Sequence, residues 1–189
     1  MVSRFKLEAS LKNITLGECV GLMPDANVWL FIYGDIDYHK PYQTRVYSNF
    51  LKIVKENKTP LYTTPVVLSE FHNRMIKSPF ERLRQECKEK EQEIPKWKSF
   101  RNSGNGIEAL ESAADNISYI LEDCEVIDLV SNSKWLVETS DSLSKSCGEL
   151  NDAYIEKVCA DNNIALVTDD GDFINSNITI YSANGKLCI

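Results

Sequence analysis

Apolar residues fall along this chain in two rhythms. Short, mostly apolar runs lie at residues 20–23, 61–63, 126–130, 164–167 and 178–181, that at 164–167 unbroken. Such runs read as strands of a parallel sheet covered on both faces. Between them lie longer stretches in which apolar positions recur every three or four residues. Val46, Phe50, Ile53 and Val54 make one stripe within residues 41–58, and Leu150, Tyr154 and Val158 make another within 149–162. Ile107, Leu110, Ala113, Ala114, Ile117, Ile120 and Leu121 form the strongest, a long amphipathic helix. Strands alternating with helices predict an α/β fold, a three-layer sandwich around a central, mostly parallel sheet.

Punctuation sharpens the elements. The strand at 20–23 is predicted to stop at Pro24, since proline cannot continue a central ladder. Thr64 as cap and Pro65 at the first helical position open a helix carrying Val67, Leu68, Glu70 and Phe71. The segment from Arg74 is predicted to stay helical to Glu93 and to break at Pro95. Residues 103–106, Ser-Gly-Asn-Gly, read as a loop, as does the serine-rich stretch 140–148, after a short helix from Asn132. Asp35, Asp37 and His39 fall in a loop ending at Pro41. Residues 4–8 alternate like a half-exposed strand, and 178–181 reads as an edge strand. No repeat or flexible linker divides the chain, so one domain of residues 1–189 is expected, with an N-terminal extension at 1–19 and a helical basic insertion at about 74–105.

Charge changes the picture in one place. The chain carries 21 Lys and Arg against 28 Asp and Glu, a net charge of −7. Residues 74–101 hold nine basic and five acidic residues, a local +4, leaving −11 elsewhere. That segment reads either as a solvated helix with pairs such as Glu86–Lys90 or as an edge that draws in a polyanion. The six cysteines (19, 87, 124, 147, 159 and 188) are scattered and the two histidines stand apart from them, a pattern that favours neither a zinc site nor a disulfide framework. His39 and His72 read as surface or helix residues. With no long apolar run and no signal-peptide core at the start, no membrane association and a cytoplasmic location are expected.

The candidate chemistry is carboxylate chemistry. Asp25 follows the first core strand, and Asp169, Asp170 and Asp172 follow the run at 164–167. Glu70 and Asp152 lie in the early turns of helices. In a parallel sheet, strand carboxyl ends and helix N-termini share one rim, so these acids are expected to meet there without paired Lys or Arg. Each has a plainer role open to it: turn capping for the Asp169–Asp172 group, helix-dipole stabilisation for Asp152. Crowded carboxylates call for a cation, and an all-oxygen set favours Mg²⁺ or Mn²⁺ over zinc. The chemistry this implies is phosphodiester hydrolysis by a metal-activated water. There is no Gly-x-x-x-x-Gly-Lys phosphate loop and no Gly-x-Ser-x-Gly nucleophile elbow.

Asp25-Ala26-Asn27, Leu68-Ser69-Glu70-Phe71, Asn151-Asp152-Ala153-Tyr154-Ile155 and the segment from Leu166 through Asp170 to Phe173 together resemble the PIN domain. The similarity is closest to the VapC-type toxin ribonucleases of toxin–antitoxin pairs and runs from about Val20 to Tyr181. It implies a metal-dependent endoribonuclease with Asp25, Glu70, Asp152 and Asp170 as its Mg²⁺- or Mn²⁺-binding core. Asp172 would join that core, with Asn27, Thr168 and Asp169 in support. Among the three acids of the turn, Asp170 is preferred as ligand, Asp172 next, and Asp169 as a turn residue. The resemblance also implies an RNA substrate, a small cognate antitoxin as partner and the option of a homodimer. A catalytically inactive RNA- or protein-binding module and a DNA-directed metal nuclease remain open alternatives. The 82 residues from Glu70 to Asp152 exceed the interval in the compact toxins, and the basic segment lies within them.

Overall fold

Six three-residue strands build one sheet, every neighbouring pair parallel. The structure, a computed structural model, describes residues 3–34, 41–129, 133–146 and 148–188. Asp35, Asp37 and His39, and the helix start at Asn132, lie outside the described residues. In chain order the strands are β1 (Arg4–Lys6), β2 (Leu22–Pro24), β3 (Leu61–Thr63), β4 (Cys124–Val126), β5 (Ala165–Val167) and β6 (Ile180–Ser182). In space they run β1-β6-β5-β2-β3-β4. Helices α1 (Ala26–Tyr33), α2 (Pro41–Glu56), α3 (Pro65–Glu89), α4 (Trp97–Arg101), α5 (Gly104–Asp123), α6 (Ser133–Ser146) and α7 (Leu150–Asn162) flank it. This is the α/β sandwich that the alternation of periodicities predicts. Among the described residues, no helix is long and apolar enough to cross a membrane.

The sheet interior is continuous. Leu22, Met23, Ala165, Leu166, Val167 and Ile180 are fully buried, and Trp29, Phe50, Phe71, Ile120 and Ile155 from five helices close over them. Burying a large apolar side chain contributes about 1.5–3 kcal/mol, so these positions carry the fold. A smaller cluster, Ile76, Phe100 and Ala113, joins the far half of α3 to α4 and α5. The Phe80 ring meets Trp97 edge-on at 5.0 Å and Phe100 at 5.2 Å. The basic segment is therefore packed against the domain through its own apolar face.

Several sequence expectations shift. β2 includes Pro24 rather than stopping before it. Leu22 N–H donates to Pro60 O and Asp25 N–H to Val167 O, so by alternation the missing donor of Pro24 faces β3. There β2 meets β3 at Leu22 opposite Leu61, so the ladder loses nothing at Pro24. β6 is not an edge, because Arg4–Lys6 pairs outside it. The Arg4 guanidinium donates to the carbonyls of Ile178 and, at 2.5 Å, Ser176. α3 runs unbroken from Pro65 and ends at Glu89, tolerating Pro79 within it. β4 begins at Cys124, directly after α5, two residues ahead of the expected run.

Residues 104–106 are helix, not loop. Ser103 caps α5, its hydroxyl donating to Phe100 O at 2.6 Å and accepting from Gly106 N–H at 3.3 Å. A Cβ on Gly106 would lie 2.1 Å from Phe100 O, so the glycine is there for close packing of α4 on α5. The serines of 140–146 likewise extend α6 instead of ending it.

Candidate functional site

Asp25 leaves the carboxyl end of β2 with an extended backbone and caps α1. Its Oδ1 accepts from Ala26 N–H at 2.6 Å. Its Oδ2 accepts from the Asn27 amide at 2.6 Å and from the Thr168 hydroxyl at 3.0 Å. Thr168 follows β5, the strand paired with β2, so register brings together residues 143 positions apart. Asn27 closes the network by accepting from Asp169 N–H at 3.1 Å, and Thr168 Oγ1 accepts from Asp170 N–H at 3.0 Å. The carboxylate is buried and its orientation is fully determined by donors.

The other acids arrive from separate elements. Asp152 lies half-buried in the first turn of α7. Glu70 sits in the second turn of α3, partly exposed. Asp170 caps the 3₁₀ turn of residues 171–175 by accepting from Asp172 N–H at 3.0 Å, and Asp172 is exposed within that turn. Burial pushes the Asp25 carboxyl up from 3.8 to about 6; the bonds from Ala26 and Thr168 oppose this, and the charges of Glu70 and Asp170 add to it. Burial also pushes Asp152 up, to about 7, reinforced by the negative charges of Asp25, Asp170, Glu149 and Glu70. Four carboxylates from four elements thus feel one another at a single rim.

Two features depart from expectation. Glu70 is not free of basic partners: Arg74, one turn on, approaches it at 3.5 Å. Among the described residues, no three His, Cys, Asp or Glu side chains are already gathered as an ion would need. The acids share a neighbourhood without a closed coordination shell. The donor set still suits a hard divalent cation, being all oxygen, part-buried and electrostatically strained.

Asp169 takes another direction. Its Oδ1 accepts from the Tyr47 hydroxyl at 2.9 Å and its carbonyl from the Asn184 amide at 2.9 Å. Tyr47 also accepts from Ala183 N–H at 3.0 Å, and its ring stacks on Phe31. Burial raises the Tyr47 phenol well above its ordinary value, keeping it a neutral donor. Sequence reading missed Tyr47, Asn184 and Arg74. For Arg74 a signal existed, its i,i+4 spacing from Glu70. For the others there was none, since their partners are distant in sequence.

No protein-family model matches the sequence, and no curated protein matches it. A solved structure does. A chain of VapBC2 from Rickettsia felis, crystallised bound to a DNA fragment from the promoter, superposes with a TM-score of 0.52 at 17% identity. The match covers 85% of this chain and 97% of that one. At that identity the likeness speaks for the fold, which is PIN-like.

Two hollows border the rim on the α3 side. A cavity of about 430 Å³ is lined by Ser69, Glu70, Asn73, Arg74, Lys77 and Asn151, among others. Beyond it, a cleft of about 960 Å³ opens between the end of α1, α3 and α5.

Proposed function

We propose that this chain is a metal-dependent endoribonuclease in which Asp25, Glu70, Asp152 and Asp170 would hold Mg²⁺ or Mn²⁺. One observation carries the reading: four acids from four elements act on one another at the carboxyl-end rim of a parallel sheet, and two of them are held above the ordinary carboxylate range. A cation relieves such crowding, and oxygen donors alone favour Mg²⁺ or Mn²⁺. When bound, such an ion supplies a more acidic water and shields charge developing at phosphorus.

The chain's own residues do the positioning. Asp25 is a preset donor, since Ala26, Asn27 and Thr168 already fix both its oxygens. Glu70 is held by a long, partly exposed ion pair, so turning it inward costs about 1 kcal/mol or less. The Arg74 guanidinium, so released, lines both hollows beside the rim and would be available to a phosphate there. Asp172 is the adjacent acid with room to join, and Asn27 and Thr168 keep the turn after β5 in register.

The PIN-like fold shared with a VapBC2 chain supports two further parts of the proposal: that the chain is the toxin of a toxin–antitoxin pair, and that a small antitoxin neutralises it. The Arg74–Glu70 pair favours a second reading, an inactive domain that binds RNA or protein with its acids satisfied from within.

The deciding experiment is cleavage of end-labelled single-stranded RNA with Mn²⁺ or Mg²⁺, beside DNA of the same sequence. Cleavage should cease in EDTA and fall at least about 100-fold in Asp25→Asn and Asp152→Asn. RNA cut equally well by both variants would remove these acids from the mechanism. No divalent-ion uptake by calorimetry at millimolar concentration would favour the inactive module.

A further inference from the structure

The cleft of about 960 Å³ lies outside the acidic rim, yet it is not separate from it. The smaller hollow that contains Glu70 shares Arg74 and Lys77 with the large cleft, so the two open into each other along α3. Beyond Lys77 the cleft adds Arg82, and its floor is apolar and aromatic, with Leu30, Tyr33 and Met75. Glu81 on α3 and Glu108 on α5 also line it, so the α3 wall carries three basic residues against one acid and the α5 wall one acid. Asn105, Ser112 and Ser78 supply neutral polar groups.

The α3 wall is rigid for a physical reason. The Ile76, Phe100 and Ala113 cluster and the Phe80–Trp97–Phe100 rings fasten the far half of α3 to α4 and α5. Arg74, Lys77 and Arg82 therefore project from a braced helix. Their spacing runs one turn and then another turn and a half, leading away from Glu70. Lys77 is exposed, and its ammonium offers a point charge to a phosphate. A size of about 960 Å³ is at the upper end of the roughly 300–1,000 Å³ typical of ligand clefts.

We propose that this cleft is the track for the polynucleotide strand on one side of the cut: phosphates meet Arg74, Lys77 and Arg82 in turn, and bases lie over the apolar floor. This rests on the nuclease reading for the identity of the strand. It adds the binding surface that the acidic rim cannot provide, since four carboxylates repel a polyanion. Basic side chains beside an apolar floor are the combination that holds single strands without regard to sequence.

The test is fluorescence anisotropy of a labelled 12-nucleotide single-stranded RNA on the full chain, in EDTA, across a salt series. Lys77→Glu should weaken binding about tenfold at low salt, and Lys77→Gln should reduce the salt slope by about 0.7, the value for one phosphate contact on a single strand. Lys77→Arg should restore affinity. The same charge reversal at Lys52, exposed on α2 and lining neither hollow, should change affinity less than about twofold, because solvent and salt screen exposed charges that make no contact with the strand. Wild-type affinity in Lys77→Glu, equal losses for Lys52→Glu, or no RNA binding at all would overturn the track. So would an acidic peptide that binds the cleft and is not displaced by RNA. Cleavage in the presence of Mn²⁺ separates the two ideas. RNA cut by the wild type but bound equally by Lys77→Glu leaves the nuclease and removes the track. Lys77-dependent binding without cleavage leaves the track and removes the nuclease.

Discussion

Replacing Asp25 by Asn should make the metal-free protein more stable at pH 8 and leave it no more stable at pH 4. The Asp25 carboxyl moves from 3.8 to about 6 on folding, because burial disfavours its charged form. Below about pH 4 both folded and unfolded chains carry the proton, and the site is not penalised. Between about pH 4 and 6 the unfolded chain has lost a proton that the folded chain retains, so stability falls as pH rises. Above about pH 6 the full penalty of roughly 3 kcal/mol is present, at 1.36 kcal/mol per pH unit. The amide removes the charge but not without loss. Its oxygen can keep the Ala26 N–H bond, while its NH₂ would face the Asn27 NH₂ that now donates at 2.6 Å. Subtracting about 1–1.5 kcal/mol for that lost bond leaves a gain of about 1.5–2 kcal/mol. In a chain of this size each kcal/mol moves Tm by about 2–4 °C. Thermal unfolding in EDTA at pH 8 and pH 4 measures the difference. A variant destabilised equally at both pH values would show that the Asp25 charge is not a burden on the fold. Adding Mn²⁺ at pH 8 should then stabilise the wild type by about 2.7 kcal/mol at 100 times the dissociation constant, raising its Tm, and leave Asp25→Asn unmoved.

Thr168→Val keeps the shape but removes the hydroxyl shared by Asp25 Oδ2 and Asp170 N–H, and should destabilise by about 1–3 kcal/mol, read by urea unfolding. Arg74→Met frees Glu70 and removes a competing cation, so calorimetry should show Mn²⁺ binding up to about fivefold tighter. Unchanged or weaker binding would mean that Glu70 does not take part. Gly106→Ala forces a shift against Phe100 O and should cost about 1–3 kcal/mol, with Trp97 fluorescence reporting loosened packing of α4.

What could be read in advance followed from local chemistry. Thr64 and Pro65 do open α3, with Thr64 accepting from Val67 N–H at 3.2 Å. The buried run before Thr168 is a central strand because residues 164–167 have no polar face to expose. Misreadings arose where tertiary contact outweighed composition. Gly104 and Gly106 look like a loop until Gly106 packs against Phe100, and the serines of 140–146 can stay helical on a helix with no fully buried residue among those described. That β6 is interior depends on the first residues of the chain pairing with the last strand, which no local pattern carries. Tyr47 belongs to the same class, reaching Asp169 across 122 positions.

The position of β5 bears on how this protein comes into being. Fifth of the six strands in chain order, it lies between β2 and β6 in the middle of the sheet. A chain halted before residue 165 would lack both β5 and β6, the strands that connect β1 to β2, and Asp25 would have no Thr168 to hold it. Pairings of such long sequence separation form slowly, after the local helices. The acidic rim is therefore absent from the growing chain and arises late, together with the closure of the sheet. Any activity housed there should appear all at once as the sheet closes, with refolding kinetics limited by insertion of this one short strand.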